Sequence, residues 1–499
     1  MKPLFLISIF YILFSCKPNY QNNQLPNILI FLGDDMNWND CQPYGNKIVK
    51  TPNIEKLANE GISFDNMFTS TAMCAPSRQQ LMTGIYPVRS GAFPNHSNVF
   101  DGVKSFAHHF KNLGYEVALI GKKHYGPKDS FPINYLGGVQ HDTGFSGSDI
   151  DLNKIKPVIN GNKPFFLIVA QNQPHTPWNR GEFELYPPQT LEVPEYMVDT
   201  DITRKGLSSY YSEITYMDSL LGKTLKIIND SSKTQNTISI FTSEQGYFYP
   251  FGKWTCYDLG LKTAFIVKWP GKIKPKTRTS AITQYVDIIP TLIDAVGEDP
   301  SKINVGISDS KGLTGFDGKS FLDVMLGEKN YHRDYTYGVQ TTRGIINGSE
   351  SYPIRSVRSE KYKYILNLNY DEKFYNILTA EDSIRPSFLR GEKIPPMEIY
   401  KSWVNNTKTE KQLRWVKTYL KRPFEELYDL KNDPYEKNNI ANQPGFEEVK
   451  KQMKNELKVW MMQQGDMGVE TEMKAISRQD RTGKGPWLPY LTKNQKLNR

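Results

Sequence analysis

Five strand-length stretches dominated by Ile, Leu, Val and Phe limit what this chain can fold into: Asn27–Leu32, Tyr115–Ile120, Pro164–Ala170, Thr237–Ser243 and Ala264–Trp269. The first, Ile28-Leu29-Ile30-Phe31-Leu32, has no polar alternation and hence no solvent face. Such a run belongs inside a sheet covered on both sides. Helical spacing supplies the cover: Ile214, Met217, Leu220, Leu221, Leu225 and Ile228 within 212–228, then Val286–Val296, and a short helix opening at Thr51-Pro52. Pro52 suits a first turn, and Pro290 marks a first turn or a kink. Beyond about residue 345 the texture changes to weakly alternating pieces such as Tyr362–Leu368, followed by an amphipathic helix at 446–462. The expected fold class is therefore α/β, a mostly parallel, doubly covered sheet with a smaller C-terminal antiparallel sheet and a helix beside it.

The chain has 499 residues, 38% of them apolar and 12% aromatic, which excludes a disordered protein and allows a main domain plus a smaller one. Its formal net charge of +9 is spread along the sequence. With no arginine-rich block and no nucleic-acid motif, no nucleic-acid partner is expected. A mild positive field suits an anionic substrate, and equally a solvated basic surface. The start, Met1-Lys2-Pro3 followed by Leu4–Phe14, reads as a secretory signal too short to span a bilayer. It ends in Leu13-Phe14-Ser15-Cys16, which resembles a bacterial lipobox. The expected organisation is a signal peptide at 1–15, a tether at 16–25, a catalytic domain at 26–345 and a C-terminal subdomain at 346–499. The expected location is the periplasm or the outer membrane, with membrane contact only through a lipid on Cys16; simple cleavage to a soluble periplasmic product is the alternative. Of the four cysteines, Cys41 and Cys256 have no evident use, and whether they pair stays open.

The ends of these stretches are chemically loaded. Asn27–Leu32 runs into Gly33-Asp34-Asp35, Tyr115–Ile120 into Gly121-Lys122-Lys123-His124, and Pro164–Ala170 into Gln173-Pro174-His175-Thr176-Pro177. Thr237–Ser243 runs into Glu244-Gln245, with Lys253 shortly after. Open α/β sheets place ligand chemistry at the carboxyl ends of their strands. Taken singly, each is also a turn, a cap or surface charge.

Between the first two ends lies Cys74-Ala75-Pro76-Ser77-Arg78, closed by Leu81-Met82-Thr83-Gly84. This run resembles the signature of the type I, formylglycine-dependent sulfatases, and the strand ends match that family in order. Gly121-Lys122-Lys123-His124 with Gly126-Pro127, Tyr352–Val357 and Asn367-Leu368-Asn369 are similar to the heparan N-sulfatase (sulfamidase) branch, and Glu426–Leu430 with Asp433–Glu436 and Asn439-Ile440 resembles the family's closing hairpin. The resemblance implies the alkaline-phosphatase-like sulfatase fold and a helix from Ser77. It implies Cys74 oxidised to formylglycine by a maturation enzyme, and one Ca²⁺ held by Asp34, Asp35, residue 74, Glu244 and Gln245. It implies Arg78 stabilising the nucleophile, His124 as base in the release step, Lys122 and Lys253 neutralising the sulfate, and His175 protonating the leaving atom. Glu244-Gln245 departs from the family's Asp followed by Asn or His, by one methylene at each position. His96, Arg355 and Arg358 are candidate substrate residues, because guanidinium forks match carboxylate and sulfate oxygens. The expected function is a bacterial polysaccharide sulfatase acting on sulfated oligosaccharides. O-sulfate esters of algal material such as ulvan are preferred over N- or O-sulfated glycosaminoglycans. A catalytically silent glycan-binding lipoprotein is the competing class, and a phosphoesterase of the same superfamily would ordinarily place Ser or Thr at 74.

Overall fold

The structure is a computed structural model that describes residues 24–138, 150–345, 348–380, 387–389 and 392–478. The proposed signal, lipobox and Cys16 lie outside the described residues. Eight strands form the main sheet: β1 (Asn27–Gly33), β2 (Ile62–Phe68), β3 (Glu116–Gly121), β4 (Asn134–Tyr135), β5 (Phe165–Ala170), β6 (Thr237–Ser243), β7 (Lys262–Lys268) and β8 (Thr277–Gln284). Their order is β4-β3-β5-β1-β6-β7-β2-β8, and every neighbouring pair is parallel except the two made by β7. All seven residues of β1 are buried, Leu29 and Phe31 in one core cluster and Ile28, Ile30 and Leu32 in another. The sheet is thus covered on both faces, as the unbroken run requires.

The helix Asp201–Asn229 covers the first face through Leu207, Tyr210, Ile214, Met217 and Leu221. It begins eleven residues before the segment whose apolar spacing was evident, because its first turns carry Thr203, Gly206, Ser208 and Ser209, small or polar residues that are nevertheless buried. The helix Ile288–Ala295 lies on the other face and follows a single 3₁₀ turn at Tyr285–Asp287, so Pro290 sits in its first turn and not at a kink.

A second, antiparallel sheet contains β9 (Thr336–Gln340), β10 (Ile354–Arg358), β11 (Tyr362–Asn367) and the strand Glu425–Asp429. The helix Glu447–Gln464 packs Met453, Leu457 and Trp460 against Val339, Val357, Tyr364 and Leu427. The expected closing hairpin is not formed. Glu425–Asp429 pairs with β11, and the segment after it returns only through Ile440 N–H donating to the Leu427 carbonyl and the Asn439 side chain accepting from Leu427 N–H.

Register aims the chemistry. Gly121, Ala170, Leu32 and Thr242 stand in one row across β3, β5, β1 and β6, so the residues just beyond them emerge along one edge. Gly121 has φ +99°, and a Cβ there would meet the Ala170 carbonyl oxygen at 1.9 Å. Only glycine fits where the backbone bends to send Lys122 inward.

Candidate active site

Cys74 is the first residue of the helix Cys74–Thr83, three positions before the expected start. All ten residues of that helix are buried. Ser77 Oγ donates to the Glu244 carbonyl (2.6 Å) and lies 2.9 Å from Thr69 Oγ1, which locks the signature to the end of β6. The N-terminal turn therefore points at the strand ends, where the positive end of the helix dipole favours negative charge.

Three carboxylates and three cations converge there. Asp34 accepts from Lys122 Nζ and lies 3.4 Å from Arg78 Nη2. Glu244 is ion-paired with Arg78 Nε, and its Oε1 is 3.7 Å from Lys122 Nζ. Asp35 accepts from Lys253 Nζ (2.7 Å) and from Gln245 Nε2 (2.7 Å). Gln245 Nε2 also lies 3.0 Å from Glu244 Oε1 and 3.4 Å from the Cys74 sulfur. Asp34, Asp35, Arg78, Lys122, Glu244 and Gln245 are all fully buried.

Burial and opposite charge set the protonation states together. Burial raises the Asp34 carboxyl, but Lys122, His175 and Arg78 outweigh it and hold the group well below its usual range. Asp35 stays above its ordinary value, because burial exceeds the pull of Lys253. Burial pushes Glu244 up to about 7 against Arg78. Burial, then the charge of Glu244, pushes the Cys74 thiol up, so it is held protonated and is a poor nucleophile as cysteine.

The histidines line the more open side. His175 is 15% exposed, its Nδ1 donates to the Thr176 carbonyl (2.6 Å), and its Nε2 faces Asp35 Oδ2 at 3.5 Å. Burial, then Lys253, depresses its pKa well below the ordinary value. His124 Nε2 lies 3.1 Å from His96 Nδ1, and the Asn95 amide is 3.2 Å from His96 Nε2. Asn95 also accepts from Ala75 N–H (3.4 Å), tying the histidine pair to the head of the helix. The sequence reading missed Asn95; its place directly before His96 was the available signal. Asp35, His96 and His124 have φ between +43° and +60°, left-handed values that non-glycine residues adopt at a cost, here where side chains are aimed into one site.

Cys74, Arg78, Lys122, His124, His175, Lys253, Asp34, Asp35, Glu244, Gln245 and His96 are thus brought together. Arg355 and Arg358 are not, and the expectation that they line a substrate pocket is corrected. Both lie on β10: Arg355 is fully buried and paired with Asp466, while Arg358 donates to Asp258 at 3.0 Å. Buried carboxylates already engage these forks. Arg355→Ala, which strands Asp466 in the interior, is expected to lower stability by about 3–5 kcal/mol. Urea unfolding should register this while the KM of the remaining folded enzyme is unchanged. Cys41 and Cys256 are both buried free thiols.

Comparison with known proteins identifies the family. The family model "Sulfatase" matches residues 26–298, and "N-sulphoglucosamine sulphohydrolase, C-terminal" matches residues 244–383. An "ulvan-active sulfatase" of Formosa agariphila is 33% identical over 451 residues, covering 89% of this chain and 82% of that protein. The human "N-sulphoglucosamine sulphohydrolase" is 26% identical, covering 88% and 90%. A solved structure of a protein in complex with its substrate D-glucosamine-2-N,6-O-disulfate has the same fold, with a TM-score of 0.64 at 19% identity, covering 89% of this chain and 99% of that one. On a match spanning more than half of its length and a relative 33% identical along nearly all of it, the chain belongs to the sulfatase family, enzymes that hydrolyse sulfate esters.

Proposed function

We propose that Cys74 is oxidised to formylglycine and that the enzyme removes O-sulfate esters from oligosaccharides of algal polysaccharides such as ulvan. The observation that carries the reading is the thiol at a helix head inside three carboxylates and three cations. One donor atom each from Asp34, Asp35, Cys74 and Glu244 lies within 4.8 Å of the others, and Gln245 Oε1 is buried without a hydrogen bond among the described residues. Carboxylate and amide oxygens suit Ca²⁺, whereas sulfur does not, so exchange of Sγ for oxygen at residue 74 makes the donor set uniform. Asp34, Asp35, residue 74, Glu244 and Gln245 would hold the ion, which when bound lowers the pKa of the hydrated aldehyde and fixes a sulfate oxygen. The hydrated aldehyde would supply one hydroxyl to attack sulfur as the sugar alcohol leaves, and a second whose collapse would break the C–O bond to the sulfated oxygen and release sulfate.

The chain's own groups do the rest. Arg78, already held by Glu244 and Asp34, fixes the oxygens of residue 74. Lys122 and Lys253 offset the charge of the transferring sulfate. His175 keeps its Nδ1 proton on the Thr176 carbonyl, so Nε2 is the atom that carries a proton to the leaving oxygen. A sulfate entering beside Lys253 restores the imidazolium that burial disfavours. His124, braced by His96, takes the proton when the second hydroxyl collapses.

The substrate class is supported by the ulvan-active relative, which is more similar to this chain than the human sulphohydrolase is. A polymer-derived substrate also fits export through the N-terminal segment, with the lipid on Cys16 as the anchor. Incubating the matured enzyme with defined sulfated oligosaccharides should release sulfate, followed by ion chromatography, from O-sulfated ulvan fragments. Release confined to N-sulfoglucosamine ends would overturn the O-sulfate assignment and support the sulfamidase reading.

A further inference from the structure

The loop that follows β9 carries an arginine the chemistry above does not use. Arg343 is 2% exposed, yet among the described residues its Nε and Nη1 have no hydrogen-bond partner. Its Nη2 lies 3.6 Å from Glu350 Oε1, a partly exposed carboxylate, and 3.7 Å from the sulfur of Met473, which is 51% exposed. Buried Glu472 also bears on its charge, yet the guanidinium lies beneath solvent-reachable side chains with two donors left over. Arg355 and Arg358 differ, since their forks meet buried carboxylates.

Backbone contacts tie the Arg343 loop to the segments that carry Cys74 and His96. Val339 N–H, on β9, donates to the Ser70 carbonyl in the segment leading to Cys74 (2.7 Å). The helix Val469–Arg478 bridges the Arg343 loop and the His96 loop. Its Glu472 accepts from Thr342 N–H (3.3 Å), and its Arg478 donates to the Gly91 and Asn98 carbonyls (3.1 and 2.9 Å). Arg343 and His96 thus stand on two loops joined by one helix.

We propose that Arg343 is a specificity-determining residue that binds a second anionic group of the saccharide, a carboxylate or a non-scissile sulfate, with Glu350 standing in for that group when no saccharide is bound. The proposal rests on the sulfatase reading and deepens it. On binding, the Glu350 carboxylate turns outward and the ligand's oxygens take the Arg343 fork, including the donors now unused.

Binding tests this apart from turnover. Affinities of a sulfated, uronate-containing ulvan disaccharide and of a heparin disaccharide are measured by calorimetry on Cys74→Ala protein. The same is done with Arg343→Gln or Arg343→Lys added, and with Glu350→Gln added. Arg343→Gln should weaken binding at least about tenfold, Arg343→Lys should recover part of the loss, and Glu350→Gln should bind as tightly as its parent or tighter. A structural pair would instead make Glu350→Gln weaken binding as well, which overturns the proposal, as do equal affinities in all forms or binding in none. Carboxyl-reduced and selectively desulfated disaccharides identify the anion, since the one that abolishes the difference between the parent and the Arg343→Gln form lacks the group being read. Sulfate release by the matured parent enzyme from the same sugars is the separate measure of the sulfatase reading.

Discussion

Cys74→Ala is expected to reduce turnover by at least about ten-thousand-fold while leaving the protein folded. The side chain lost is small, and the groups around it hold one another: Lys122 on Asp34, Arg78 on Glu244, Lys253 on Asp35. Loss of one buried sulfur costs about 1–2 kcal/mol, a fraction of the stability of a domain of this size. The unmodified protein separates the proposed nucleophile from the thiol. Expressed without a maturation enzyme, it should be nearly as inactive as Cys74→Ala, since the thiol is held protonated by burial. Mass spectrometry of the Cys74 peptide should find the aldehyde only in active preparations. Full activity from protein carrying an intact thiol would refute the mechanism.

Chelation is the second large effect. Removing divalent cations should lower activity at least about a hundredfold, with Ca²⁺ restoring it, and Asp35→Asn should reproduce the loss irreversibly. The fold should survive both treatments. Asp34, Asp35 and Glu244 face Arg78, Lys122 and Lys253, so the ion-free cluster is already balanced in charge. Loss of the ion then removes only its binding contribution to stability, about RT ln(1 + [L]/Kd), a few kcal/mol at most. Activity indifferent to both chelation and Asp35→Asn would make the carboxylates structural. The pair Glu244-Gln245 adds a finer readout. Gln245 Nε2 reaches Asp35, Glu244 and Cys74 from its longer stem. Glu244→Asp with Gln245→Asn withdraws both donors by a methylene and is expected to weaken Ca²⁺ binding if the surrounding cavity is fitted to the longer pair.

Much of this was legible locally. Ile28–Leu32 has no polar face, so its burial on both sides follows from the run itself, and the loaded ends of β1, β3, β5 and β6 announced the edge where chemistry collects. The residues around Cys74 carried enough pattern to name their family. Local pattern misjudged the start of the helix Asp201–Asn229, whose first turns are buried without being apolar.

The sequence by itself determined the sheet's core and the side chains delivered to its strand ends, because strand burial and motif spacing are properties of neighbouring residues. Only the tertiary structure decided which charges meet. Arg78 and Arg355 are both fully buried arginines, yet one faces the strand ends and the other answers Asp466, 111 residues away. Gln245 and Asp35 meet across 210 residues, β7 runs against its neighbours, and Cys41 and Cys256 remain apart as thiols. A buried charge must find its partner in space, and the path of the backbone, not the order of residues along it, fixes which carboxylate is within reach.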